Sequence, residues 1–156
     1  MVMSRYNYKK ALDILTKYAM SCGISNINLN FDGISEFEWE LTQDGYVAKS
    51  ISIQGNLDDE IRTYFFLHEL GHYIIRNDYA SFKLRFPSVH RAEYGRRMRD
   101  MLVDGYRVEC LGEEYMAWEE GYLLADRLGI RINMRRWIYH RTVSLKGYIK
   151  YYSRKK

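Results

Sequence analysis

Five consecutive residues, His68-Glu69-Leu70-Gly71-His72, place two imidazoles and a carboxylate within little more than one helical turn. Residues four apart stand one above the other on a helix, so both rings can converge on one ion without bending the backbone. Zinc accepts histidine nitrogen at about 2.0–2.1 Å and suits such a pair. Glu69 points about 100° around the helix from His68. It cannot share the same ligand position, yet it stands close enough to take a proton from water at the metal. The plainer alternative is two core histidines among Phe65, Phe66, Leu67, Ile74 and Ile75, each needing its own hydrogen-bond partner for its buried nitrogens.

A hydrolytic zinc site takes a third protein ligand and leaves a fourth position for water. The downstream candidates are Glu113, Glu114, Glu119, Glu120 and His90. At 100° per residue, Ala117, Trp118, Gly121, Ala125 and Leu128 all fall within about 60° of Glu114. Glu114 therefore sits on an inward, small-residue stripe, where a carboxylate is costly unless paired or bound to metal. Glu113, Glu119 and Glu120 point about 100° or more away and are expected in solvent. Ala117 and Gly121 should let this helix approach the metal-bearing one closely. Glu114 is the expected ligand, and its alternative role is a half-exposed carboxylate at the helix start. His90, near the single proline Pro87, is a weaker candidate as a ligand or a hydrogen-bond donor to substrate.

The elements that must position these groups follow from periodicity. Residues 6–20 have apolar positions at helical spacing, with Gly23 as the stop. Residues 26–31, 35–41 and 46–53 alternate apolar and polar, separated by the turn pairs Asp32-Gly33 and Asp44-Gly45. This predicts an antiparallel meander with one face packed and one wet. A helix follows, capped by Asn56 or Asp58 and apolar nearly all round through the H-E-x-x-H residues, so it should be central. Further helices are expected around residues 92–102, over 113–128 ending at Gly129, and from Met134 toward Tyr152. The fold class is α+β: a small sheet packed on a central metal-bearing helix. With 156 residues, no Gly/Ser-rich linker and no repeat, residues 1–156 read as a single domain.

Composition removes other classes. No segment has the roughly 18 apolar residues of a membrane span, and the polar N-terminus lacks a signal-peptide pattern. Cys22 and Cys110 form no pairing or metal pattern, which fits a reducing compartment and a cytoplasmic protein. Residues 131–156 hold nine Lys/Arg and no Asp/Glu, so the formal charge of +4 comes from this segment alone. Interleaved with Trp137, Tyr139, Tyr148, Tyr151 and Tyr152, it is either a surface for nucleic acid or an acidic partner, or a helix whose aromatics dock on the core.

The order of elements, the sequence YFFLHELGHYI and the later Glu114-Tyr115-Met116-Ala117 resemble the ImmA/IrrE-type, gluzincin-like metallopeptidase domains common in bacteria, phages and mobile elements. The resemblance covers roughly residues 51–129. It implies a zincin-like fold, zinc held by His68, His72 and Glu114, and Glu69 as catalytic base. It also implies hydrolysis of a peptide bond in a specific intracellular protein, in a regulatory role. The family usually carries Asn where this chain has Trp118, and a shorter stretch between the two motifs. On this reading His90, or a tyrosine within residues 88–112, would stabilise the oxyanion, and residues 49–53 would offer an exposed strand edge to an extended peptide. Two other functions compete. One is a catalytically silent zinc-bearing module that binds a partner protein. The other is a nucleic-acid binder with structural zinc, although no cysteine stands near the motif to close such a site.

Overall fold

The computed structural model describes residues 6–95 and 98–154. Arg96 and Arg97, which fall inside the helix expected around residues 92–102, lie outside the described residues, as do residues 1–5, Lys155 and Lys156. Helix α1 (Tyr8–Ser21) starts where the Asn7 side chain accepts the Lys10 amide and ends before Gly23, whose φ is +85°. Three strands follow, β1 (Asn26–Phe31), β2 (Glu36–Thr42) and β3 (Gly45–Gln54).

The sheet is not the antiparallel meander that the alternation suggests. Its order is β1-β3-β2, with β1 parallel and β2 antiparallel to β3. Burial explains the rearrangement. Ser50, Ile51 and Ile53 make β3 the strand with most to hide, so it takes the centre. Asn26, Asn28 and Asn30 on β1, and Glu36, Glu38 and Glu40 on β2, are exposed polar rows suited to edges. Residues 49–53 are therefore no edge, since β3 is paired on both sides. The expected Asp44-Gly45 turn does form: Thr42 pairs with Gly45, which takes a φ of +131°.

Helix α2 (Asp59–Asn77) is capped by Asp58, whose carboxylate accepts the Ile61 amide at 2.9 Å. It runs through the core, burying Phe66, Leu67 and Leu70 with Ile51, Ile53 and Leu15. Two short helices, α3 (Tyr79–Arg85) and α4 (Pro87–Gly95), and a 3-10 turn (Met98–Leu102) occupy the stretch where one short helix was expected. Helix α5 (Asp104–Arg127) begins nine residues earlier than its periodicity indicated, and α6 (Met134–Ser153) closes the described chain. Among the described residues, no helix is long and apolar enough to cross a membrane.

The contact that positions the site is α2 against α5. A Cβ on Gly71 would lie 2.0 Å from the Ala117 carbonyl oxygen, and one on Gly121 would lie 2.6 Å from that of Leu67. The two backbones thus touch at both glycines, as the small-residue stripe around Glu114 suggested. Gly71→Ala cannot be absorbed by a side-chain rotation and must part the helices. Overpacking of this kind costs about 1–3 kcal/mol and sometimes more. The upper end of that range is expected in urea unfolding, while Gly147→Ala, which meets nothing within 4 Å, should cost no stability.

Candidate metal centre

The close approach of α2 and α5 brings the second half of one helix against the first half of the other. His68, Glu69 and His72 are buried at 5%, 5% and 6% exposure. One donor atom from each lies within 4.8 Å of the others, a group that can hold a metal ion. Glu114 meets both rings from α5: one carboxylate oxygen is 3.2 Å from His68 Nε2 and the other 3.4 Å from His72 Nε2. The inward stripe argued from the helical wheel thus delivers Glu114 to the two histidines.

The ionisable groups of this cluster act strongly on one another. Burial alone would raise the Glu114 carboxyl, but His72 and His68 outweigh it and hold the group far below the usual carboxylate range. Burial works against a charged His72 as well, yet Glu114 and Glu113 overcome it and keep the ring protonated well above its ordinary range. His68 is pushed down by burial, against the pull of Glu114. Glu69 is pushed up to about 8, chiefly by burial. One proton on His72 therefore supplies the positive charge between these acids, a role that a metal ion held by the same atoms would take over. The donor set of two ring nitrogens and a carboxylate fits such an ion.

Glu113 corrects the wheel. It is not in solvent but 4% exposed, with its carboxylate 3.1 Å from His72 Nδ1. The reason is Arg76, one turn beyond His72 on the same face of α2 and only 3% exposed. Its guanidinium is bidentate to Glu113, at 2.7 and 2.8 Å, and to Glu93 of α4, at 2.9 and 3.1 Å. It also lies 3.8 Å above the Trp39 ring of β2. Tyr46 donates to Glu93 at 2.5 Å and closes the network. A wheel drawn on α5 alone registers neither a cation on α2 nor a carboxylate on α4. The sequence did hold a clue: the i, i+4 series His68, His72, Arg76 puts an arginine on a buried face, where it must find acids. Glu119 and Glu120 are half-buried, and Glu119 pairs with Arg141 of α6.

The first histidine is held differently. His68 stacks on Trp118 at a centroid distance of 4.5 Å, and its Nδ1 has no hydrogen-bond partner among the described residues. His90 does not reach the cluster. Its Nε2 is 2.9 Å from the Tyr79 hydroxyl, and it lines a separate depression with Lys83, Arg91 and Tyr94. The cleft over the two histidines has a volume of about 280 Å³ and is walled by Glu36, Phe37 and Trp39 of β2, Phe65 of α2, and Ser144 and Tyr148 of α6. Tyr148 was legible only as part of a basic aromatic segment, because nothing local in the sequence says where α6 turns its face.

No family model, no curated protein and no solved structure matches this chain. What defines the centre is its own geometry: a buried helix carrying H-E-x-x-H, whose residues can bind metal, faced by a carboxylate from a second helix.

Removing one partner from a buried ion network leaves charge uncompensated, at a cost of about 3–5 kcal/mol. Glu113→Ala is expected near the lower end of that range in urea unfolding, since Arg76 keeps Glu93. Glu113→Gln, which retains the shape and one acceptor, should lose clearly less.

Proposed function

We propose that this protein is a zinc-dependent metallopeptidase of the H-E-x-x-H class, similar to the ImmA/IrrE-type gluzincin-like domains, acting on a peptide bond of a protein substrate. The single observation that carries the reading is the Glu114 carboxylate, half-buried and in contact with the Nε2 atoms of both His68 and His72. Two histidine nitrogens and one carboxylate oxygen are the donors of hydrolytic zinc sites, which keep a position open for water. His68, His72 and Glu114 would hold the ion. Glu113 accepts from His72 Nδ1 and so leaves Nε2 as the ring nitrogen that would be offered to an ion, a carboxylate–histidine pairing typical of such ligands.

Zinc, when bound, supplies a Lewis acid that lowers the pKa of water to about 7 and polarises a carbonyl. The raised Glu69 carboxyl would be drawn back down by a cation bound beside it, and the carboxylate would then take the proton of the attacking water as the C–O bond forms. It returns that proton to the amide nitrogen as the C–N bond breaks, leaving a carboxylic acid and an amine. The outer edge of β2 borders the cleft through Glu36, Phe37 and Trp39. An extended peptide adding a strand to β2, rather than to β3, would lay its backbone across the two histidines.

Two outcomes test this. Zinc at about 100 times its Kd should stabilise the protein by about 2.7 kcal/mol, and His72→Ala should lose that gain. Glu69→Gln should keep the zinc stabilisation while cleavage falls by about 10²–10⁴-fold. The cleavage readout is a comparison of products from a cell extract treated with wild type and with Glu69→Gln. Products that persist unchanged with Glu69→Gln would count against peptidase activity, and partner capture without cleavage would favour a zinc-bearing binding module.

A further inference from the structure

The C-terminal helix is fastened at one end and reaches the cleft with the other. Trp137 is buried in the core against Tyr64 and Trp118. Arg136 pairs with Asp58 and Glu60 at the start of α2, and Arg141 pairs with Glu119 of α5. One and two turns beyond Arg141, Ser144 and Tyr148 form a wall of the metal cleft. The Tyr148 ring is half-buried there and shares the cleft wall with His68, Glu69, His72 and Glu114. A tyrosine hydroxyl is a hydrogen-bond donor, and it stands in a wall whose other polar residues include the acids Glu36, Glu69 and Glu114.

Peptide hydrolysis needs such a donor. The carbonyl oxygen gains negative charge as water adds to the carbon, and a preorganised donor aimed at that oxygen lowers the barrier. Among the described residues the cleft walls include no Lys or Arg, and neither His90 nor Tyr94 or Tyr106 is among them. Resting on the metallopeptidase reading above, we infer that Tyr148 of α6 is the residue that donates a hydrogen bond to the substrate carbonyl oxygen, which makes the C-terminal helix a part of the catalytic site. The place of Tyr148 in the wall beside Glu69, His68 and His72 puts the O–H within the cleft where a substrate would lie. Its O–H bond stays intact throughout: the proton of the attacking water travels through Glu69, and the phenol contributes only a hydrogen bond.

The test compares Tyr148→Phe, which removes one oxygen and keeps the ring, with Tyr152→Phe. Tyr152 lies one turn further on and is not among the residues that wall the cleft. Two quantities are measured by calorimetry: the affinity for zinc alone, and the affinity of the zinc-loaded protein for a peptide phosphonamidate, a tetrahedral anion in place of the scissile amide. A hydrogen bond to a charged group contributes about 1.5–3 kcal/mol, so Tyr148→Phe should weaken phosphonamidate binding about 10–100-fold. Its zinc affinity should stay within about 3-fold of wild type, and Tyr152→Phe should change neither. Equal phosphonamidate affinity for wild type and Tyr148→Phe overturns the inference, as does a loss confined to zinc affinity, which would make Tyr148 a support for Glu114. A zinc-loaded wild type that binds no phosphonamidate overturns it too. Failure of the wild type to take up zinc is a separate result, and it removes the metallopeptidase reading itself.

Discussion

The distance between α2 and α5 is set by backbone, not by side chains, and the site depends on it. Gly71 lies against the Ala117 carbonyl and Gly121 against that of Leu67. At that separation a carboxylate from α5 reaches two histidines on α2 without crossing a layer of apolar side chains. Pushed apart by the width of a methyl group, Glu114 could not meet both Nε2 atoms, and Glu113 could not meet His72 and Arg76 together. The hydrophobic core on the sheet side of α2, built from Phe66, Leu67, Leu70, Ile51 and Ile53, fixes which face of the helix remains for α5.

Charge is organised in alternating layers along that contact. Arg76 stands between Glu93 and Glu113, His72 between Glu113 and Glu114, and Glu114 between the two histidines. Each buried charge has an opposite neighbour, and this is the condition under which ionised groups persist away from water. Burying so many ionisable groups serves stability poorly compared with apolar packing of the same volume. Its benefit lies in orientation: the bidentate grip of Arg76 fixes Glu113, and Glu113 fixes His72. His68 has a different support, the face of Trp118, and its Nδ1 finds no acceptor among the described residues. The two histidines of the motif are thus held by unlike means, one by a carboxylate and the other by stacking.

Much of this was legible in the sequence where it depended on local periodicity. The H-E-x-x-H spacing, the small-residue stripe that singled out Glu114, the Asp58 cap and the Asp44-Gly45 turn are all matters of a few neighbouring residues. Features that depend on what other elements bring were not legible. Strand order was lost because alternation reports which face is wet and says nothing of which strand is central, although the Glu and Asn rows of β2 and β1 were edge signals. Glu113 was assigned to solvent because a wheel treats a helix as having one inside, whereas α5 is flanked by both α2 and α4. His90 was weighed for its chemistry alone, and the fold gives it to Tyr79. Tyr148 came from the least specific part of the chain, a basic aromatic run compatible with several roles.

The central claim is that His68, His72 and Glu114 converge on one cation between α2 and α5. X-ray absorption at the zinc edge, on the protein loaded with one equivalent, tests it most directly. The account predicts a first shell of two imidazole nitrogens with light oxygen donors at about 2.0–2.2 Å, losing its carboxylate contribution in Glu114→Ala. A shell unchanged by that substitution, or one without a histidine pair, would contradict it.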